Sequence, residues 1–179
     1  MKEIGEGNTV REAKDYLREN WRKGTKCPCC NQNVKLYPRT LNSSMAYGLI
    51  ILYRLHIKHA DFNKWFKMNE EVAKLKIPSS NIEYAKTYYW GLIEERGSEP
   101  GKKRTSGLWR LTARGIKFVR KEIEVNKRVY VYNNKVWEYS KDFVSITDAL
   151  GNKFNYLELI NNYEGNDDRL RSGAFQGIA

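Results

Sequence analysis

The chain has 179 residues, is 41% hydrophobic and 13% aromatic, and carries 32 Lys/Arg against 21 Asp/Glu for a formal charge of +11. That length suits one domain, or one domain with an appendage, and supplies enough apolar material for a real core. No apolar run of signal length follows Met1, and the longest run, Leu49-Ile50-Ile51-Leu52, is too short to span a bilayer, so a cytoplasmic protein with no membrane partner is expected.

The three cysteines fall within four residues, which argues against a structural disulfide framework. The positive charge is uneven. Residues 96–121 hold nine Lys/Arg against one acid, whereas residues 122–179 hold seven against nine. A concentrated basic patch suggests a polyanionic partner, although a charge run alone also suits a solvated surface.

Thr9-Val10-Arg11-Glu12 has the form of a capping box, and predicts a helix to about Arg22 with Gly24 as its stop. Val10, Ala13, Leu17 and Trp21 share one stripe of it. Cys27-Pro28-Cys29-Cys30-Asn31 follows, then a short strand over 34–37. Ser43 or Ser44 is expected to cap a second helix, with Met45, Leu49, Leu52 and Leu55 at helical spacing and an end near His56.

The connector 61–68 has room for a strand. Asn69 would cap a brief helix carrying Val72 and Leu75, ended by Pro78. Ser80-Asn81-Ile82-Glu83 is a second capping box and predicts a helix over 80–90, closed by Gly91. Strands are expected at 92–95 and 107–111, joined by Gly97–Ser106, which contains Lys102-Lys103-Arg104. A further helix opens at Thr112-Ala113. Beyond Val125 two strands flank Asn133-Asn134, a pair suited to a type I′ turn because Asn tolerates positive φ. Ser145 would cap a short helix ending at Gly151, and 156–161 reads as helical. From Glu164 the composition is that of a loose tail.

The order helix, strand, helix, helix, strand, basic loop, strand over residues 43–121 resembles the winged-helix version of helix-turn-helix. Tyr89-Trp90-Gly91-Leu92-Ile93-Glu94-Glu95 and Trp109-Arg110-Leu111-Thr112-Ala113-Arg114-Gly115 give it a MarR-like pattern. The whole chain is also similar to uncharacterised phage-borne winged-helix proteins. The resemblance implies an α+β fold with a winged helix-turn-helix core at 41–125. An amino-terminal helix and Cys turn at 1–40 would precede it, and a small α+β extension at 126–163 and a flexible tail at 164–179 would follow. It also implies duplex DNA as partner, a recognition helix at 80–90, a wing at 97–106, and dimerisation through flanking helices.

At 100° per residue, Ile82, Ala85, Tyr89 and Leu92 fall on one arc and read as the core face. The opposite face presents Ser80, Glu83, Tyr84 and Thr87, with Asn81 and Tyr88 at its edge, and Ser80, Asn81, Tyr84, Thr87 and Tyr88 are candidates for base contacts. Glu83 could accept from cytosine or serve as the capping partner of Ser80. Lys102, Lys103 and Arg104 would meet phosphates, with Arg110 and Arg114 adding backbone contacts.

Cys27-Pro28-Cys29-Cys30-Asn31 resembles a zinc knuckle. A structural zinc takes four ligands, and His56 and His59 are the only other soft candidates, so Cys27, Cys30, His56 and His59 form a Cys₂His₂ set on paper. The alternative is a tight turn of small thiols and two surface histidines. No phosphate loop, nucleophile elbow or His-Glu-x-x-His is present, and the reading is of a non-enzyme. The alternative reading is of a different class: a phage-type protein-binding inhibitor or adaptor on a winged-helix scaffold, with a host protein partner, that engages a host nucleoprotein complex or mimics a component of one.

Overall fold

The computed structural model describes residues 7, 9–75, 82–97 and 107–161. Over these residues the chain is α+β, with short antiparallel sheets. It divides into two compact units, one of residues 1–40 and 128–141, the other of residues 41–127 and 142–179. The stretch expected as a single extension at 126–163 is therefore shared between the two. None of the described helices is long and apolar enough to cross a membrane.

In the first unit, α1 (Val10–Asn20) starts at the expected capping box: the Thr9 side chain accepts the Glu12 amide and the Glu12 carboxylate returns to the Thr9 N–H at 2.7 Å. Of its predicted stripe, Ala13 is buried, whereas Val10 is exposed. Strands β1 (Thr25–Lys26) and β2 (Asn33–Val34) form a small hairpin around the cysteine turn. Strand β3 (Tyr37–Thr40) pairs with β8 (Arg128–Tyr132), which in turn pairs with β9 (Lys135–Tyr139) across the Asn133-Asn134 turn, where φ is 48° and 57°. The strand partner of this aromatic hairpin is β3, which lies far earlier in the chain. Trp21 meets Trp137 edge-on at 5.2 Å, and the Arg22 guanidinium sits 5.0 Å above the Tyr130 ring while pairing with Glu138.

The second unit is organised on α2 (Ser43–His59), capped by Asn42 rather than by a serine and closed at Ala60 in the left-handed region. Residues 44–52 of α2 are all buried, far more than one stripe, so this is a central helix. Strand β4 (Phe66–Lys67) leads into α3 (Met68–Lys74); a 3₁₀ helix (Tyr84–Trp90) precedes β5 (Ile93–Glu95), and β6 (Leu108–Leu111) runs into α4 (Ala113–Val119). The sheet order is β4-β6-β5, all antiparallel, with Phe66 opposite Trp109 and Ile93 opposite Leu111. Residues 76–81, including Pro78, Ser80 and Asn81, lie outside the described residues.

Two further strands, β7 (Val125–Asn126) and β10 (Phe143–Val144), pair with each other, and α5 (Ile146–Leu150) and α6 (Tyr156–Asn161) complete the unit. Ser145 and Asp148 form a capping box on α5. Phe118, Leu49, Ile50, Leu92 and Ile146 are fully buried. Truncating any one of these to Ala is expected to cost about 2–5 kcal/mol.

Glycine permits one unusually close approach here. The Gly115 Cα faces the Leu92 backbone, and a Cβ at that position would overlap the Leu92 carbonyl oxygen. Thr112 completes the junction: its N–H donates to Leu92 O at 3.1 Å, its hydroxyl donates to Gly91 O at 2.6 Å, and the same hydroxyl caps Gly115 N–H at 3.0 Å. The Gly-Leu-Ile and Leu-Thr-x-x-Gly segments thus lock to one another.

Candidate nucleic-acid interface

The segment expected to read bases is wound more tightly than an α-helix. A 3₁₀ helix advances about 120° per residue, so residues three apart eclipse. Tyr84, Thr87 and Trp90 therefore fall in line, and all three are buried. The Tyr84 hydroxyl donates to Asn69 Oδ1 at 2.9 Å, and its ring meets Trp109 edge-on. Thr87 donates to Tyr84 O at 2.6 Å, and Trp90 Nε1 donates to Asn126 O at 2.6 Å. Burial holds the Tyr84 phenol above its usual pKa, with the Glu95 charge adding to the rise.

This corrects the assignment of Tyr84 and Thr87 as base-contacting residues. The 100° wheel puts them on the outer face because it assumes α-helical winding. Among the described candidates of this segment, Tyr88 is the one left outside, at 44% exposed, with its ring 4.4 Å from that of Tyr89. Tyr89, assigned to the core arc, is half-buried. The adjacent Tyr-Tyr pair is visible in the sequence, but the wheel divides it between two faces.

Glu83 is held at the start of α2. Its N–H donates to Ser44 Oγ at 2.9 Å, and its carboxylate accepts from Asn42 Nδ2 at 3.2 Å and pairs with Lys86. Gly48 sets how close this segment comes to α2: a Cβ there would lie 2.6 Å from Tyr84 Cβ.

Strands β5 and β6 form the base of a hairpin. Arg96 N–H donates to Leu108 O at 2.9 Å, and Gly107, at φ 67°, donates its N–H to Glu95 Oε1 at 3.2 Å. Lys102, Lys103 and Arg104 lie in the connecting segment, outside the described residues. Arg110, directly opposite Glu94, is not a free cation. Its Nε donates to Glu94 Oε1 at 2.5 Å, its Nη1 reaches Asn63 O at 3.4 Å, and its guanidinium stacks 4.4 Å over the Trp65 ring. These three partners fix the Arg110 guanidinium locally. Arg114 and Lys117 are exposed on α4, and Lys117 is a cation that the sequence pattern does not single out.

The four residues of the Cys₂His₂ set are divided between the two units, Cys27 and Cys30 in one and His56 and His59 in the other. Among the described residues no group of three or more His, Cys, Asp or Glu side chains is placed to hold a metal. His56 is fully buried, with Nδ1 2.8 Å from Asp61 O and Nε2 accepting the Leu111 N–H at 3.2 Å, so both ring nitrogens are engaged. His59 is exposed, and its Nδ1 lies 3.0 Å from Lys64 Nζ. Cys27 and Cys30 belong to the other unit, as free thiols. The backbone amide of Cys29, then that of Cys30, holds the Cys27 thiol below the usual pKa, against a smaller opposing effect of burial.

No protein-family model, curated protein or solved structure matches the chain.

Proposed function

We propose that this protein binds duplex DNA through a winged helix-turn-helix in its second unit and acts as a transcriptional regulator. The observation that carries the reading is the β4-β6-β5 sheet order. It makes β5 an edge strand joined to the central β6 through a segment whose sequence holds Lys102, Lys103 and Arg104. The exposed Tyr88 lies shortly before β5, which begins at Ile93, and Arg114 and Lys117 lie on the helix just after the hairpin. Cations grouped on one hairpin and the following helix give affinity through phosphates, and an aromatic hydroxyl can add contacts to base edges.

The test is selection of bound duplexes from a random library, followed by titration at several salt concentrations. A regulator should prefer its enriched site over bulk duplex by at least about 10³. An enriched inverted repeat would indicate that the chain binds as a homodimer. Changing Lys102, Lys103 and Arg104 together to Ala should weaken binding to every sequence and flatten the salt dependence. An unchanged salt slope in that triple variant would end the wing assignment.

A second reading, a protein-binding adaptor, draws on a separate observation. In the first unit Tyr37, Trp137 and Tyr139 are exposed aromatics, a residue type enriched at protein interfaces. Pull-down from nuclease-treated lysate separates the readings, since a DNA-bridged partner is lost there and a direct host-protein partner is kept.

A further inference from the structure

The DNA-binding reading leaves the cysteine turn unused. That turn joins β1 to β2, where Thr25 pairs with Val34 and Lys26 with Asn33. Two backbone bonds close it: Cys27 N–H donates to Gln32 O at 2.8 Å, and Asn31 N–H donates to Cys27 O at 2.9 Å. The second bond spans four residues, as in one turn of helix, a winding that sets side chains three apart on one side with Cβ atoms about 5–6 Å from each other. Cys27 and Cys30 stand in that relation. A disulfide needs Cβ atoms about 3.5–4.5 Å apart, so a bond between these two requires the turn to tighten. Asn31, at φ 58°, turns the chain back into β2.

The backbone amides of Cys29 and Cys30, both in the turn, hold the Cys27 thiol below its ordinary pKa, against a smaller opposing effect of burial. The turn thus favours the thiolate at Cys27. Cys29 and Cys30 are exposed and Cys27 is half-exposed, so small reagents can reach all three.

We propose that this turn is a thiol–disulfide exchange site for low-molecular-weight disulfides, with Cys27 as the attacking thiol and Cys30 as the resolving thiol. Cys27, having lost its proton to water, attacks one sulfur of the disulfide RSSR. The new Cys27–SR bond forms as the S–S bond breaks, and RS⁻ leaves and is protonated. The Cys30 thiolate then attacks the Cys27 sulfur, a Cys27–Cys30 bond forms, and the second RS⁻ leaves. In balance, two protein thiols are oxidised and one disulfide is reduced to two RSH. Cys29 is two positions from Cys27, a spacing that does not face it in a helical turn, so it is not the resolving group. A resolving thiol beside an accessible attacking thiol is the arrangement that redox-responsive cysteines use.

The experiment treats the full chain with oxidised glutathione, counts free thiols and maps disulfides by peptide mass. The expected result is a fall from three free thiols to one, with a Cys27–Cys30 link in monomeric chain. Cys30→Ser should stop at a glutathionyl group on Cys27 and raise that mixed disulfide about tenfold. Cys29→Ser should behave as the native chain, and Cys27→Ser should slow thiol loss about tenfold. The proposal is overturned if Cys29→Ser blocks the internal link, if chain-to-chain disulfides are the main product, or if the three thiols react within about twofold of each other without an internal link.

Discussion

The Nε2 atom of His56 on α2 accepts the backbone N–H of Leu111, the last residue of β6, at 3.2 Å. An acceptor at Nε2 puts the ring proton on Nδ1, where it donates to Asp61 O at 2.8 Å. The imidazole is therefore neutral in the fold. Burial lowers its pKa below the ordinary 6.5, the Asp61 carbonyl and carboxylate oppose this, and Arg110 and His59 add to the lowering.

The linkage sign follows from that depression. Below pH 6.5 the unfolded chain takes a proton that the folded chain does not. Stability is whole above that pH and falls as pH drops from there toward the folded pKa. Denaturant unfolding between about pH 5 and 7 should show this loss. His56→Gln should lower stability by about 1–3 kcal/mol and remove the dependence in that range. An equal pH slope in the variant would show that other groups are responsible.

Gly115→Ala places a methyl where the Leu92 carbonyl oxygen lies. Backbone rather than a flexible side chain must yield, so a loss of about 1–3 kcal/mol is expected, seen as a Tm lower by about 2–4 °C per kcal/mol. Gly48→Ala should also destabilise, by pressing on Ile82 and Tyr84. Because it shifts the segment that carries Tyr88, it should weaken DNA binding as well.

The tight winding of 84–90 separates two tyrosines that the sequence treats alike. Tyr84→Phe removes the bond to Asn69 and should cost about 1 kcal/mol of stability with DNA affinity nearly unchanged. Tyr88→Ala should leave stability within about 0.5 kcal/mol and reduce DNA affinity. Unfolding curves and duplex titrations on the two variants check this together, and the reverse pattern would show that the outer face is not the contact face.

Glu94→Gln should loosen the Arg110 clamp. The freed guanidinium then becomes available to phosphate, so duplex affinity should rise and the salt slope should steepen by about 1. Arg110→Ala should lower stability through loss of the Trp65 stack, with little effect on the salt slope of the native chain.

Much of the element order was legible from caps and turns. Thr9–Glu12, Ser145–Asp148, Thr112 and the Asn133-Asn134 pair each act locally, and local chemistry is what short sequence patterns encode. The candidate site was less legible, because its geometry depends on groups distant in sequence. Nothing near Tyr84 announces Asn69 or Gly48, so α-helical winding was the natural assumption for 80–90. Arg110 is claimed by Glu94, Asn63 and Trp65, which lie up to 47 residues away. His56 resembles a ligand in sequence but serves as a backbone acceptor for a residue 55 positions on. Asn69 was expected to cap α3 and instead receives the Tyr84 hydroxyl.

The sheet of β3, β8 and β9 is completed only by residues 128–141. During synthesis the amino-terminal forty residues leave the ribosome long before their strand partner exists, while the intervening segment can already collapse on α2. At about 5–20 residues per second the delay is several seconds, during which β3 offers open backbone groups to any strand nearby. A chain terminated before residue 128 would keep β3 in that exposed condition permanently. Premature termination there is therefore expected to yield a sticky product, not merely a shorter one.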